Sequence, residues 1–284
     1  MMNYPFNKLY IEHLIERALD EDIGGGDVTT ACIFGSYGGR ASAKLAARQD
    51  GVLCGIEIFE GTIRRLDSTA LFEGDAKDGD AFSRGDILRN VKAVVCHLLS
   101  AERVALNFLQ HLSGVATLTA KYVKAVEGTG VKITDTRKTI PGLRPLEKYA
   151  VRCGGGYNHR QTLSDMVLIK DNHIAYAGGI RQAIELVKRN SSHALKIEVE
   201  VNTLEQVRDA VDSQVDVIML DNMSVEDMCS AVQLIGGKAL VEASGSVTLD
   251  NVRRIAECGV DIISVGRLTH SAASADISLD FEEG

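Results

Sequence analysis

The sequence predicts an α/β protein whose second part is a parallel, helix-covered sheet of the barrel type, six- to seven-stranded and so short of the full eight. Three observations predict it. Short apolar runs recur from Val131 onward, and after the first gap they return about every 20 to 30 residues with helical patterns between them. The runs are apolar almost throughout rather than alternating, as strands buried on both faces are. The first 95 or so residues follow a different rhythm of short strands and turns. A separate mixed α/β domain is therefore expected over 1–110, with the barrel over 111–273 and residues 274–284 packing back on the first domain.

In chain order, Leu9, Ile11, Leu14, Ile15, Ala18 and Leu19 set a helix over 8–20. EDIGGGDVTT follows as a loop, because three glycines cannot continue a helix cheaply. From Arg40, ASAKLAARQDGVLCG alternates small or apolar with polar residues and reads as strand. EIFEGTIRRL is a short helix, and TALFEGDAKDGDAFSRGDILRNVKAVV reads as a meander of short strands joined by Gly-Asp turns. A long helix over 97–126 keeps an apolar stripe through Leu98, Ala101, Val104, Ala105, Phe108, Leu109 and Leu112, with Ser113-Gly114 as a point of kinking. The barrel strands are VKIT (131–134), MVLI (166–169), LKIEVEV (195–201), VDVIML (215–220), ALVEA (239–243) and VDIISV (260–265). Helices GIRQAIELVKRN, TLEQVRDAVD, SVEDMCSAVQLI and TLDNVRRIAEC separate them. Arg144, Lys148 and Arg152 lie at helical spacing after a Pro-Gly turn, with Lys148 and Arg152 expected on a solvated face.

The chain of 284 residues carries a net charge of −8 and a pI near 5.4, which argues against a nucleic-acid or membrane-surface binder, since those partners need a broad basic face. No run approaches the length of a membrane-spanning helix, and the first residues lack the pattern of a secretory leader, so a cytoplasmic protein is expected. Cys32, Cys54, Cys96, Cys153, Cys229 and Cys258 form no CxxC pair, and all six are expected to be buried free thiols.

Against this acidic background, residues 131–174 concentrate positive charge in Arg137, Lys138, Arg144, Lys148, Arg152, Arg160 and Lys170. In barrel folds the C-terminal strand ends carry the chemistry. Here they bear Asp135, Thr136, Arg137 and Lys138; then Lys170, Asp171, Asn172 and His173; then Glu198 and Glu200, two apart and so facing the same way. Asp221 and Asn222, then Glu242, Ser244 and Gly245, then Gly266 and Arg267 complete the ring. Glu198 alone is expected to be a satisfied strand-end carboxylate. Arg137, Lys138, Arg160 and Lys170 suit a ligand with several anionic groups. Glu200 and Asp221 suit Mg²⁺ on a polyphosphate, or a cationic transition state. Small residues at the last two ends suit a phosphate cradle. The residues by themselves describe a barrel enzyme acting on a phosphorylated, multiply anionic small molecule, without naming the reaction.

DTRKTIPGLRPLEKYAVRCGGGYNHR followed by VLIKDNHI resembles the signature of the quinolinate phosphoribosyltransferase family. ALDEDIGGGDVTT, SAERVALNFLQHLSGVAT, IEVEVNTLEQ, IMLDNM, EASGSVTLDN and ISVGRLTHS fall in that family's order, so the resemblance covers nearly the whole chain. It implies an N-terminal α/β sandwich domain joined to an incomplete α/β barrel, and conversion of quinolinate and phosphoribosyl pyrophosphate to nicotinate mononucleotide, pyrophosphate and CO₂ with Mg²⁺, in NAD biosynthesis. Carried over by motif, Arg137, His159 and Arg160 would bind the quinolinate carboxylates, and Lys138 and Lys170 would line the same pocket and act in catalysis. Glu200 and Asp221 would serve the ribose and the metal–pyrophosphate, while Ser244, Gly245, Gly266 and His270 would hold the 5′-phosphate. The resemblance also implies a homodimer, open to further assembly, in which Arg103 reaches into the neighbouring subunit's site.

The chain departs from the family pattern at Gln161-Thr162-Leu163-Ser164, at Tyr157, where His is common, and at Arg267, where a small residue is usual. Other readings of the same residues are a related phosphoribosyltransferase with a different acceptor, a Schiff-base lyase using Lys170, and a non-catalytic phosphometabolite sensor.

Overall fold

A computed structural model describes residues 8–35 and 39–282; the expectation about a secretory leader rests in part on residues 1–7, outside that range. The chain divides into two compact units. One gathers the chain up to Leu118 with Pro145–Gly155 and the stretch from Ala272; the other comprises Thr119–Arg144 and Gly156–Ser271. One helix, Val95–Ala125, contains both the border expected at residue 110 and the one after Leu118.

The first unit opens with α1 (Lys8–Ile23) and α2 (Val28–Phe34). The glycine loop is shorter than its composition suggests. Asp27 caps α2 by accepting from the Thr30 N–H at 2.9 Å, so VTT is helical rather than loop. There follow β1 (Arg40–Ala47), β2 (Gly51–Val52), α3 (Ile56–Leu66), β3 (Leu71–Glu73), β4 (Ala81–Phe82), β5 (Ile87–Val94) and α4 (Val95–Ala125). β1, β5 and β3 join an antiparallel sheet, and β2 pairs with β4. The apolar face of α3 buries Ile56, Phe59 and Ile63 with Leu45, Leu53, Leu98 and Leu109. Arg89 and Glu60, both nearly buried, pair at 2.8 Å, which spares each an uncompensated charge.

The expected break at Ser113-Gly114 does not occur, and α4 runs unbroken. The two small residues serve packing instead. Ser113 Oγ accepts from the Cys54 N–H at 3.0 Å, and a Cβ on Gly114 would stand 2.1 Å from the Ala273 carbonyl oxygen. Only glycine admits that crossing.

The remaining elements are β6 (Lys132–Thr134), α5 (Arg144–Cys153), β7 (Val167–Ile169), α6 (Asp171–Ala177), α7 (Ile180–Asn190), β8 (Ile197–Val201), α8 (Leu204–Asp212), β9 (Val217–Asp221), α9 (Val225–Ile235), β10 (Leu240–Ser244), α10 (Val252–Glu257), β11 (Ile262–Ser264), α11 (Arg267–His270) and β12 (Ile277–Phe281). Six strands form one parallel sheet in the order β6-β11-β10-β9-β8-β7, each apolar run feeding a helix as predicted. Thr203 and Ser224 cap α8 and α9 through their side chains. Tyr157 extends the sheet beyond β6 by a single bridge to Thr134. β12 returns to the first unit and pairs antiparallel with β1, Leu279 opposite Leu45.

Two expectations are corrected. Cys229 on α9 and Cys258 after α10 form a disulfide, because the fold brings their Cα atoms to 4.6 Å although 29 residues separate them. Of the other cysteines only Cys54 and Cys153 are buried, while Cys32 is exposed. Lys148 does not lie on a solvated face but is 2% exposed, because α5 buries every residue from Leu146 to Val151; Arg152 is exposed. No helix among the described residues is long and apolar enough to cross a membrane.

Candidate active site

The parallel sheet carries its strand ends to one rim, around a cavity of about 590 Å³. Thr136, Arg137 and Lys138 follow β6; His159 and Arg160 precede β7, and Lys170 follows it. Glu200 comes from β8, Met219, Asp221 and Asn222 from the end of β9, Glu242, Ser244, Gly245 and Ser246 from the end of β10, and Ser264 from β11. The pleat explains the selection, since Glu198 and Glu200, or Glu242 and Ser244, sit two apart and share a face. The register then sets Glu200 and Glu242 on either side of Met219.

One wall is cationic. The Arg137 guanidinium has its Nε buried without a hydrogen-bond partner. Arg160 donates from Nη1 to the Met166 carbonyl at 3.1 Å, and burial, then the nearby Arg137 charge, lower its pKa. Two guanidiniums held this close repel until an anion sits between them. Lys170 Nζ meets Glu200 Oε2 at 2.9 Å. Thr269 Oγ1 donates to the Lys138 carbonyl at 2.6 Å and ties down the loop that carries Arg137 and Lys138.

Beneath the cations lie buried acids. Asp135, 0% exposed, accepts from the Asn158 side chain at 2.5 Å and from the His159 N–H at 2.9 Å. Glu198 is also 0% exposed, and His159 Nε2 lies 3.1 Å from its Oε2 and 3.6 Å from Glu242 Oε1. Glu198 is therefore not the satisfied strand-end carboxylate expected, because neither of its oxygens completes a hydrogen bond. The Glu242 carboxyl is pushed up to about 7, by burial first and then by the Glu198 charge, with His159 and Ser264 pulling the other way.

The far side is built for close backbone approach. Gly245 has φ +86°, and a Cβ there would meet Asn222 Oδ1 at 2.3 Å. Asn222 and Ser246 also adopt positive φ, and Ser246 Oγ donates to Asn222 Oδ1 at 3.1 Å. Strained turns after β9 and β10 are thus locked together at the rim.

The cavity unites every site residue expected from the sequence except Arg103, Gly266 and His270. Arg103 is exposed on α4. A Cβ on Gly266 would stand 3.0 Å from Lys138 Cδ and 3.3 Å from His270 Nε2, so these three residues crowd together beside the cavity. His173 is structural, accepting from the Lys170 N–H at the start of α6. The departures at Gln161, Thr162 and Ser164 do not line the cavity: Gln161 and Thr162 close a turn by donating their N–H groups to Asp165. Sequence reasoning gave Glu242 no role and passed over Ser246 and Ser264. The signal for Glu242 was an acid inside an apolar strand, two residues before Ser244.

Among the described residues a second donor cluster, Cys54, Asp78 and Cys153, lies in the first unit. Its Asp78 is already committed, accepting from the N–H groups of Gly55 and Ile56 and from the Tyr149 hydroxyl, and burial raises the Cys54 thiol pKa well above its ordinary value. Glu200 and Asp221 present half-buried carboxylate oxygens, the hard donors that suit Mg²⁺, to the cavity, and Glu200 is paired there with Lys170.

Comparison with known proteins agrees with this geometry. Residues 27–113 match the model for the quinolinate phosphoribosyl transferase N-terminal domain, and residues 115–280 that for the C-terminal domain. A probable nicotinate-nucleotide pyrophosphorylase [carboxylating] of Bacillus subtilis is 42% identical over 96% of this chain and 94% of its own. The crystal structure of NadC from Streptococcus pyogenes superposes with a TM-score of 0.93 at 41% identity, covering 99% of this chain and 100% of that one. The nicotinate-nucleotide pyrophosphorylase from Ehrlichia chaffeensis does so with a TM-score of 0.93 at 42% identity, covering 98% and 100%. With both halves of the chain matched and relatives of this identity aligned nearly end to end, the chain belongs to the quinolinate phosphoribosyl transferase family.

Proposed function

We propose that the chain transfers a phosphoribosyl group from phosphoribosyl pyrophosphate to quinolinate and releases pyrophosphate and CO₂, giving nicotinate mononucleotide for NAD synthesis. The observation that carries this reading is the cavity itself, which brings Arg137, Lys138, Arg160 and Lys170 together with strand-end carboxylates and the small residues Ser244, Gly245 and Ser246. Arg137, Lys138, Arg160 and Lys170 suit the carboxylates of quinolinate. Ser244 and Gly245, with Gly266 and His270 beside the cavity, suit the 5′-phosphate. Glu200 and Asp221 would hold Mg²⁺, which when bound would neutralise the pyrophosphate leaving group.

The chemistry follows from this placement. The ring nitrogen attacks the ribose C1′ as the bond to pyrophosphate breaks, and positive charge builds on the ribose. Glu200 and Asp221, held on one side of the sheet, stabilise that charge. N-ribosylation leaves the ring nitrogen cationic. Its positive charge stabilises the carbanion left at the neighbouring ring carbon when the adjacent carboxylate leaves as CO₂, and a proton from the site or solvent takes up that electron pair at carbon. Lys170 faces Glu200 in an ion pair rather than the apolar surroundings that activate a Schiff-base amine, which disfavours the lyase reading.

Incubation with quinolinate, phosphoribosyl pyrophosphate and Mg²⁺ is expected to yield nicotinate mononucleotide and CO₂ in equal amounts. Absence of product at high enzyme concentration would overturn the proposal. CO₂ release without phosphoribosyl transfer would overturn the order of steps. We further propose a cytoplasmic homodimer, open to higher assembly, in which each subunit lends Arg103 to its partner's site.

A further inference from the structure

We infer that Asn222 is a positioning residue that ties the Asp221 carboxylate to the turn after β10, so that acid and turn present one fixed spacing to a ligand that reaches both. The inference deepens, and rests on, the reading of this cavity as the site for phosphoribosyl pyrophosphate.

The backbone singles out Asn222 first. Among the described residues only three other than glycine adopt positive φ, and two of them, Asn222 at +52° and Ser246 at +50°, are hydrogen-bonded to each other. The third, Gln214, precedes β9. Glycine would take such a backbone without strain, so a side chain held there at a cost points to a use for that side chain.

The Asn222 side chain makes two bonds. Its Nδ2 donates to Asp221 Oδ2 at 2.9 Å, and its Oδ1 accepts from Ser246 Oγ at 3.1 Å. Its backbone N–H donates to the Ser244 carbonyl at 3.0 Å, continuing the ladder in which Asp221 lies opposite Ser244. The amide also fills the space above Gly245, where a Cβ would stand 2.3 Å from Oδ1. Asn251, at the start of α10, anchors the turn from its other end. Its Nδ2 donates to the Ser246 carbonyl at 3.1 Å, and its Oδ1 accepts from the Thr248 N–H at 2.8 Å. A hydrogen-bonded path thus runs from the start of α10 through Ser246 and Asn222 to the Asp221 carboxylate.

A half-buried carboxylate at a strand end keeps rotational freedom that binding must remove. A charge-assisted bond to one of its oxygens limits that rotation before any ligand arrives. The 5′-phosphate proposed for the turn and the ribose proposed for Asp221 belong to one molecule, so the spacing between turn and acid is part of recognising it. Quinolinate, read onto cations at other strand ends, does not depend on this path.

The test is a double-mutant cycle on binding. In titrations with phosphoribosyl pyrophosphate and Mg²⁺, Asn222→Gly is expected to lose roughly tenfold in affinity, while its affinity for quinolinate stays within about twofold of the parent. In an Asp221→Ala background the same substitution is expected to change affinity by less than about twofold, because the group it acts through is gone. Equal losses in the two backgrounds would overturn the inference, as would an equal loss for quinolinate. NMR of the ligand-free protein gives an independent readout. One side-chain amide proton of Asn222, assigned by its disappearance in Asn222→Gly, is expected to lie downfield and exchange slowly with water. In Asp221→Ala it is expected to move upfield and exchange faster. If the parent binds no phosphoribosyl pyrophosphate, the functional reading fails by itself. The amide signal then still decides, as it does where Asp221→Ala binds too weakly to measure, and a signal unchanged by Asp221→Ala overturns the inference.

Discussion

At Glu242 the folded protein holds a carboxyl that ionises near 7 instead of the ordinary 4.5, because burial and Glu198 disfavour its charge. A group whose pKa rises on folding binds its proton more tightly in the folded state. Its contribution to stability is present in full below about pH 4.5 and is lost as pH rises through 7. Chemical unfolding at a series of pH values should show this as a decline on the order of 3 kcal/mol across that window, and Glu242→Gln should flatten it. Arg160→Gln removes a different kind of charge. It should raise the quinolinate KM by roughly 10- to 100-fold and leave the melting temperature nearly unchanged, since loss of the hydrogen bond to the Met166 carbonyl and of the attraction to Glu198 and Asp165 is offset by relief of the buried charge and of its repulsion with Arg137. These residues were not equally legible. Glu200 and Asp221 declared themselves as acids at the ends of apolar runs. The approach of His159 to Glu198 and Glu242 did not, because spacing tells which face a side chain takes and not which distant strand meets it there. Lys148 failed for a related reason: helical spacing marks a stripe, but an element buried nearly all round has no solvated side to assign.

The helices and turns make their own predictions. Gly114→Ala places a methyl group against the Ala273 carbonyl and should destabilise the protein by about 2 kcal/mol or more, seen as a lower denaturation midpoint. Gly245→Ala combines a positive φ with a clash on Asn222 and should cost activity before it costs folding, because it moves the turn that edges the cavity. The disulfide between Cys229 and Cys258 fastens α9 to the end of α10. Closing a loop of 29 residues is worth roughly 3 kcal/mol, so Cys229→Ser, or reduction of the parent, should lower the thermal midpoint by several degrees. Element type was read from the periodicity with few errors. The errors that occurred have one local cause and one tertiary cause. A side-chain cap from Asp27 turned loop into helix, and a carbonyl crossing at Gly114 turned an expected kink into a packing site.

For the whole molecule, the strand-helix alternation after Val131 disclosed the parallel sheet, and its continuous apolar runs disclosed the layers over it. The order in which strands associate was hidden, because hydrophobic period carries no information on neighbours. The proposed shared site gives a test at this scale. Mixing inactive Arg103→Ala and inactive Lys138→Ala subunits should restore part of the activity in mixed dimers, and no recovery would argue against a donated arginine.

The pairing of β12 with β1 bears on how the protein is made. β1 is complete once residue 47 is synthesised, yet its outer edge finds its partner only at Ile277–Phe281. At ribosomal rates of about 5–20 residues per second, that edge waits more than ten seconds, with its backbone donors and acceptors unmatched. A nascent or prematurely stopped chain therefore offers an open strand to any neighbour on the same message, and escort by a chaperone during synthesis would be worth most to this protein in that interval.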